Sequence, residues 1–281
     1  MRLGIFSKTF DGTDPATVLA AVARAGYTAA QYNMACSGLP SMPDAIDPAV
    51  VAAVADAAKS RGIEIAAVSG TYNMIHPDMT IRRAGHARLE TLAQACAGLG
   101  TRLITLCTGT RDPQDQWRRH PDNTTPQAWR DLLQSMQTAL AIADKYDIDL
   151  GIEPELANVV NSARRARELI DQLGSKRLRI VLDPANLFEV ATLEDQRSIV
   201  AAAIDLLADR IAMGHAKDRN SNGSFAAAGA GVLDYPHYFA RLKAVGFNGP
   251  LITHGLSARD APGVATFLKR VLGEVGIEVQ A

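Results

Sequence analysis

The amino-acid sequence predicts an α/β protein in which a single (β/α)8 barrel occupies residues 1–281. Three observations lead to this prediction. Eight short apolar runs are separated by helical patterns, no linker rich in proline, glycine or serine divides the chain, and the last four runs end in acidic or imidazole residues at steps of 30, 32 and 39 residues. Each step has the length of one βα unit, as a barrel of repeated units requires.

The eight predicted strands are runs of consecutive apolar residues, without alternation of apolar and polar ones. Such runs are typical of a parallel sheet that is covered on both faces. The first four runs lie at 3–7, 29–33, 64–70 and 103–109. The other four belong to the segments LGIEPE, RIVLDPAN, IAMGHAKD and PLITHGL, which carry Glu153, Asp183, His215 and His254.

Helical patterns separate these runs, for example at 15–26, 47–62 and 162–174. In the third of these, apolar residues recur at three- and four-residue steps, Asn161 or Ser162 can cap the start, and Gly174 can end it. Glycine also ends other predicted helices, at Gly26, Gly62, Gly100 and Gly246. The sequence therefore predicts a recurring turn from helix into strand.

Two connections are longer than the others, from Thr110 to Thr125 after the fourth strand and from Arg219 to Tyr235 after the seventh. Loops this long in a compact domain are usually functional or disordered. Both follow the carboxyl end of a strand, where barrel enzymes carry their chemistry. We therefore predict that they form the walls of a pocket.

The composition favours a large buried core, since 47% of the residues are hydrophobic and 21% are charged. The formal net charge is −1, so the overall electrostatic field of the protein does not favour binding to nucleic acid or to an acidic membrane. A local basic groove on the surface is still compatible with this net charge. Cys36, Cys96 and Cys107 form no CxxC pair, which argues against a disulfide framework or a cysteine zinc cluster. The first residues contain too short an apolar run for a signal peptide, and no stretch approaches the roughly 20 apolar residues of a membrane helix. We expect no nucleic-acid or membrane partner and a cytoplasmic location.

Two glutamates stand at the end of the fifth predicted strand. Glu153 and Glu155 are two residues apart, so both face the barrel mouth on an extended strand while Pro154 faces away. Glu153 and Asp183 each precede a proline, which biases their backbone towards an extended conformation. A single acidic residue after a strand often caps a helix or pairs with arginine or lysine instead. Because four strand ends carry such residues, we favour a shared polar site.

A lone histidine in an apolar run is more often a hydrogen-bonded core residue than a ligand. Here carboxylates are predicted on the two preceding strands, so we predict that His215 and His254 bind a metal ion together with Glu153 and Asp183. This set of ligands suits Mn²⁺, Co²⁺, Zn²⁺ or Mg²⁺, and the second imidazole disfavours Mg²⁺. Lys217 lies on the same strand face as His215, where it orients an oxygen-rich substrate or neutralises the surrounding acids.

Predicted substrate contacts surround this cluster. The loop after the fourth strand places an aromatic ring beside cationic and amide groups, which suits a polyhydroxy or phosphorylated substrate. The alternative is an ordinary solvated loop in which the tryptophan side chain has only a packing role. His76 follows the third strand at the same rim. Its position directly before Pro77, which can begin a helix, is an alternative explanation for this residue. Besides Arg111, Asp112 and Asn123 in the loop, the predicted substrate contacts are Glu155, Lys217, Asp218, His76, Trp117, Arg118, His120 and Asn186.

The motifs IEPE, LDPAN, HAKD and PLITHGL, preceded by NMIHPD at 73–78 and TGTRDPQDQWRRHPDN at 108–123, resemble the xylose-isomerase-like TIM-barrel family of sugar phosphate isomerases and epimerases. The similarity spans nearly the whole chain. It implies a metal-dependent barrel in which two glutamates, an aspartate and a histidine bind the ion. The resemblance also implies that the two glutamates exchange protons with a keto sugar through an enediolate.

Position by position, Glu153, Asp183 and His215 match three of the ligands that the resemblance implies. The eighth strand usually carries glutamate at the fourth position, and here that position is His254. The second acid/base carboxylate of the family is therefore missing. An imidazole both binds metal and relays protons, so we predict Glu153 and His254 as the catalytic residues. Glu155 is a candidate for the missing carboxylate, because it lies on the same face as Glu153.

The predicted function is a divalent-metal-dependent isomerase or epimerase that acts on a small keto sugar, sugar phosphate or polyol derivative. The ion polarises a carbonyl, and a neighbouring carboxylate removes the adjacent proton. A metal-dependent dehydratase or lyase and a non-catalytic metal- or sugar-binding relative stay open as alternatives. An apurinic-site endonuclease is disfavoured because the charge is balanced and histidines are few. Helical faces such as those predicted here can support association into a homo-oligomer.

Overall fold

The computed structural model describes residues 1–280, and at its centre eight parallel strands form a closed barrel. In chain order the barrel strands are β1 (Leu3–Phe6), β2 (Ala29–Tyr32), β3 (Glu64–Ser69), β4 (Leu103–Cys107), β5 (Asp149–Glu153), β6 (Leu178–Leu182), β7 (Ile211–Ala216) and β10 (Leu251–Thr253). Each pairs with the strands before and after it, and β1 closes the barrel on β10 with Leu3 opposite Leu251. The predicted (β/α)8 TIM-barrel architecture is confirmed.

Eight helices surround this sheet within residues 1–280. They are α1 (Pro15–Arg24), α2 (Pro48–Arg61), α3 (Met79–Leu99), α4 (Pro126–Tyr146), α5 (Ala163–Leu173), α6 (Leu193–Leu207), α7 (Tyr235–Ala244) and α8 (Ala261–Glu274). Their ends follow the chemistry predicted from the sequence. Ser162 caps α5 by accepting a hydrogen bond from the Arg165 amide at 3.3 Å, and Gly174 ends it in the left-handed region at φ 62°.

The two long connections contain short elements of their own. The segment after β4 includes a 3₁₀ turn at Pro121–Thr124. The segment after β7 contains an antiparallel hairpin, in which β8 (Asp218–Arg219) pairs with β9 (Phe225–Ala226). This hairpin was not predicted, because its strands are only two residues long and so show no strand periodicity. Among residues 1–280, no helix combines the length and apolarity needed to cross a bilayer.

A small apolar layer inside the barrel determines where polar side chains can gather. It is formed by Ala29, Ala66, Ala67, Leu103, Val181, Met213 and Ile252. Val181, Met213 and Ile252 each stand two residues before a predicted metal ligand, and residues two apart on a strand share a face. The side chains of Asp183, His215 and His254 therefore point towards the barrel axis one layer above these apolar residues, at the carboxyl ends of the strands.

Close packing between β1 and its neighbours predicts a strong effect of one added methyl group. A Cβ atom on Gly4 would lie 2.4 Å from Ile252 Cδ1 and 2.7 Å from the Ala29 carbonyl oxygen. We expect Gly4→Ala to lower the free energy of unfolding by about 1–3 kcal/mol in urea denaturation, because the backbone of β2 must move. The matched control is Gly263→Ala in α8, where an added Cβ meets nothing within 4 Å. It should keep or raise stability by up to about 1 kcal/mol, and equal losses in both variants would contradict the packing argument.

Candidate metal centre

Four side chains from neighbouring strand ends converge at the top of the barrel. Glu153 ends β5, Asp183 follows β6, His215 lies in β7 and His254 follows β10. One ligand atom from each of the four lies within 4.8 Å of the others. Residues that are up to 101 positions apart in sequence therefore share one site.

Glu153 and His215 are held by amide side chains. Glu153 Oε1 accepts a hydrogen bond from Asn186 Nδ2 at 2.8 Å and lies 3.3 Å from His215 Nδ1. The other ring nitrogen of His215 lies 2.9 Å from Gln31 Oε1, and Gln31 in turn donates to Thr105 Oγ1 at 2.9 Å. These outer partners orient the carboxylate and the imidazole before any ligand arrives.

Asp183 is buried and has several partners. Its Oδ1 accepts the Ala185 amide at 2.9 Å. Its Oδ2 lies 3.1 Å from Lys217 Nζ and 3.1 Å from His254 Nε2. Asp183 is therefore the centre of the polar contacts between β6, β7 and β10.

The charges of the four groups follow from these contacts. Burial alone would raise the pKa of Glu153, but His215 outweighs it and the net pKa is lowered. Burial is likewise outweighed for Asp183, where Lys217 and His254 hold the pKa far below its usual range. Burial and the neighbouring His215 lower the pKa of His254. The centre thus offers two carboxylates and an unprotonated imidazole at neutral pH, as metal binding requires.

The donor set fits a divalent cation. A shared ion at about 2.1 Å from each ligand atom requires separations of at most about 4.2 Å between those atoms. The four atoms lie close to that limit, so small side-chain adjustments place them on one ion. Two carboxylates with two imidazoles match Mn²⁺, Co²⁺ and Zn²⁺ better than Mg²⁺.

A cavity of about 500 Å³ opens above the ligand cluster. Trp117 from the connection after β4 and Phe225 from β9 contribute its aromatic walls, so both long connections contribute to the pocket. Uncharged polar side chains line much of the remainder, namely Gln31, Asn33, Ser41, Ser69, Thr71, Thr105 and Gln116. This lining suits a small molecule that carries several hydroxyl groups.

Of the predicted substrate contacts, Glu155, Lys217 and Trp117 line this cavity. Burial and the charge of Glu153 raise the pKa of Glu155 to about 7. Asn186 lies behind the ligands, where its amide bridges Glu153 and Lys217.

The other four predicted contacts do not line the cavity, and three of them make hydrogen bonds to local partners. The two ring nitrogens of His76 lie 3.1 Å from the Pro113 carbonyl oxygen and 3.0 Å from the Asp78 amide. His120 accepts the Asp122 amide at 3.2 Å. The carboxylate of Asp218 accepts the amides of Gly229, Gly231 and Leu233, which shapes the connection after β9.

Arg118 is the fourth residue outside the cavity. Its guanidinium lies 3.3 Å from Asp112 and 3.9 Å from Asp115. Two other loop residues have structural partners, since Arg111 pairs with Asp131 and Asn123 accepts from Thr110 at 3.0 Å. We therefore leave these residues, with His76, His120 and Asp218, out of the proposed substrate contacts.

Most of the remaining cavity residues were not predicted from the sequence, and Gln31 and Phe225 are two of them. Gln31 is a polar residue within an apolar run, AAQYN, and that position was a usable signal for a functional side chain. Phe225 lies in a connection without periodicity, so no pattern in the sequence indicates that it reaches the cavity.

The closed parallel barrel and its cluster of four potential ligands define a TIM-barrel protein with a candidate metal centre. The chain belongs to the xylose isomerase-like TIM barrel family, whose model matches residues 19–269. The resemblance predicted from the sequence motifs is therefore confirmed.

Solved structures with the same architecture include several sugar epimerases. The 3-keto-D-glucoside 4-epimerase from E. coli has a TM-score of 0.75 and 17% identity, over 96% of this chain and 99% of that chain. The D-psicose 3-epimerase from Clostridium cellulolyticum H10 has a TM-score of 0.74 and 16% identity, over 97% and 99%. An L-ribulose 3-epimerase has a TM-score of 0.76 and 18% identity, over 98% and 94%. Likeness at these identities shows the shared fold. No curated protein matches the sequence significantly.

Proposed function

We propose that the protein is a divalent-metal-dependent isomerase or epimerase of a small keto sugar or related polyol. The observation that carries the proposal is the convergence of Glu153, Asp183, His215 and His254 in one cluster, of which all but the buried Asp183 line the cavity. The family membership and the epimerase activities named for its structural neighbours support the same class of reaction. Mn²⁺, Co²⁺ and Zn²⁺ are the ions that this donor set favours.

In this proposal Glu153 is the base that removes a proton next to the substrate carbonyl. Its Oε1 is held by Asn186, and the hydrogen bonds within residues 1–280 leave Oε2 without a partner. Its lowered pKa keeps the carboxylate ionised at neutral pH. A bound divalent cation would polarise the carbonyl and so lower the free energy needed to remove the adjacent proton.

A second group must return the proton for an epimerase to invert a carbon centre. His254 Nε2 lies 3.1 Å from Asp183 Oδ2, and burial together with the neighbouring His215 lowers the pKa of His254, which favours the neutral imidazole. Glu155 also lines the cavity and has a pKa of about 7, so it carries a proton in a large fraction of molecules at neutral pH. We propose that His254 returns the proton to the substrate and that Glu155 is the alternative proton donor.

One observation favours a second candidate. The end of β10 contributes His254 to the ligand cluster where the family usually has glutamate, so the ligand set holds a single glutamate base. A dehydratase or lyase needs one base and a group that protonates the leaving hydroxyl, and Glu153 with Glu155 or His254 would suffice. The identity of the ion, a cytoplasmic location and association of copies through helical faces stay predictions.

Solvent isotope exchange tests the proposed reaction. Protein loaded with Mn²⁺ is incubated with a panel of small ketoses in D₂O, and the products are examined by mass spectrometry and NMR. We expect one deuterium to enter the carbon next to the carbonyl, and we expect a chelator to stop the exchange, because the carbanion-forming step depends on the metal centre. Loss of water from the substrate would favour the dehydratase. Binding of metal and sugar without exchange or elimination would favour a non-catalytic relative.

A further inference from the structure

The ammonium group of Lys217 lies inside the ligand cluster. The residue is 6% exposed, and its Nζ lies 3.1 Å from Asp183 Oδ2, the same oxygen that His254 contacts. The ring of Phe225 covers it, with 3.8 Å between Nζ and the ring centroid. A permanent positive charge is therefore shielded from water and is in direct contact with one of the candidate metal ligands.

Lys217 also determines how Asn186 presents its amide. Lys217 Nζ donates to Asn186 Oδ1 at 2.9 Å, so the Nδ2 group of the same amide points to Glu153 Oε1 at 2.8 Å. One ammonium group thus touches Asp183 directly and Glu153 through a single amide. Both carboxylates of the cluster depend on it for their orientation.

We propose that Lys217 is a resident counter-ion and positioning residue of the metal centre. It offsets part of the negative charge of the two carboxylates and holds them in place while no cation is bound, and it limits how tightly a divalent cation is then held. The inference rests on the proposed metal-dependent function. Two buried carboxylates without a counter-charge would repel each other and lose hydration, and an ion pair offsets both effects. The same positive charge opposes an incoming cation that needs the same carboxylate oxygens.

This arrangement predicts that removing the ammonium tightens cation binding. Lys217→Met removes the charge at similar length, and Lys217→Gln keeps a hydrogen-bond donor for Asp183. We expect the Kd for Mn²⁺, measured by calorimetry on protein freed of metal by a chelator, to fall at least about tenfold in both variants. We also expect the metal-free variants to melt about 5 °C or more below the metal-free wild type, with saturating Mn²⁺ restoring most of the loss. A purely structural role for Lys217 would leave cation affinity unchanged or weaken it.

Lys8→Met is the matched control, because Lys8 lines the same cavity but is exposed to solvent, where its charge is screened. It should change the Kd for Mn²⁺ by less than about threefold. If the wild type binds Mn²⁺ and Lys217→Gln binds it equally or more weakly, the inference about Lys217 is overturned while the proposed function stands. If the wild type binds no Mn²⁺, Co²⁺ or Zn²⁺, both are overturned. If Lys217→Met does not fold without metal, recovery of folding on addition of Mn²⁺ supports the inference. The effect on the Kd for Mn²⁺ is then decided by Lys217→Gln.

Discussion

Replacing Glu153 with glutamine is expected to lower turnover by about a hundredfold to ten-thousandfold at saturating Mn²⁺. The side chain is the one glutamate in the ligand cluster, and a glutamine amide cannot accept the proton that the reaction removes. The shape of the residue is nearly unchanged, so Asn186 and His215 keep a neighbour of the same size. Steady-state kinetics on the ketose found in the exchange experiment, with deuterium incorporation as a second readout, measures the effect.

Two controls separate proton transfer from other causes. Glu168→Gln changes a surface glutamate that pairs with Arg165 on α5, and it should leave turnover unchanged. Glu155→Gln removes the second carboxyl group of the cavity. Comparing its effect on turnover with that of Glu153→Gln distinguishes the proposed alternative proton donor from the proposed base. Full turnover in Glu153→Gln at saturating Mn²⁺ would show that another group removes the proton.

Replacing Asp183 with asparagine is expected to cost both cation binding and stability. The variant leaves the buried ammonium of Lys217 without its charged partner, and breaking a buried pair in this way costs about 3–5 kcal/mol. It also removes one of the two carboxylates in the ligand cluster. We expect a loss of about 3 kcal/mol in urea denaturation of the metal-free protein, together with a Kd for Mn²⁺ raised at least about a hundredfold.

Asp44→Asn provides the matched comparison. Asp44 also pairs with a basic side chain, Arg88, but 83% of its side chain is exposed, whereas that of Asp183 is 0% exposed. An exposed ion pair contributes at most about 1 kcal/mol, so this variant should be nearly neutral in stability and in Mn²⁺ binding. Similar stability losses in the two variants would mean that the burial of the Lys217–Asp183 pair is unimportant.

Much of the barrel could be predicted from local sequence chemistry. Continuous apolar runs indicated the strands, and Ser162 and Gly174 indicated the ends of a helix that spans Ala163–Leu173. The hairpin at Asp218–Arg219 and Phe225–Ala226 could not be predicted, because strands of two residues are too short to show a periodic pattern. The four amide hydrogen bonds that the Asp218 carboxylate accepts, which order this segment, likewise follow no pattern of apolar and polar residues.

The substrate contacts predicted in the loop after β4 also could not all be decided from the sequence. Trp117, Arg118 and His120 are close in sequence and chemically suited to a sugar, yet only Trp117 lines the cavity. Arg118 and His120 pair within their own segment, since Asp112, Asp115 and Asp122 lie within a few residues of them. The sequence alone does not show whether a flexible polar side chain in such a loop contacts a neighbouring loop residue or points into the cavity.

The sequence by itself determined the βα repeat, the order of the strands and the identity of the four residues at their carboxyl ends. Those features depend on periodicity, capping and spacing, which act over a few residues and can be read along the chain. The sequence also placed Lys217 on the same strand face as His215. Only the tertiary structure decided that its ammonium contacts Asp183, that Asn186 bridges it to Glu153, and that Phe225 covers it. These contacts depend on barrel closure, which brings strand ends from distant parts of the chain within hydrogen-bonding distance and removes the water that would otherwise separate their charges.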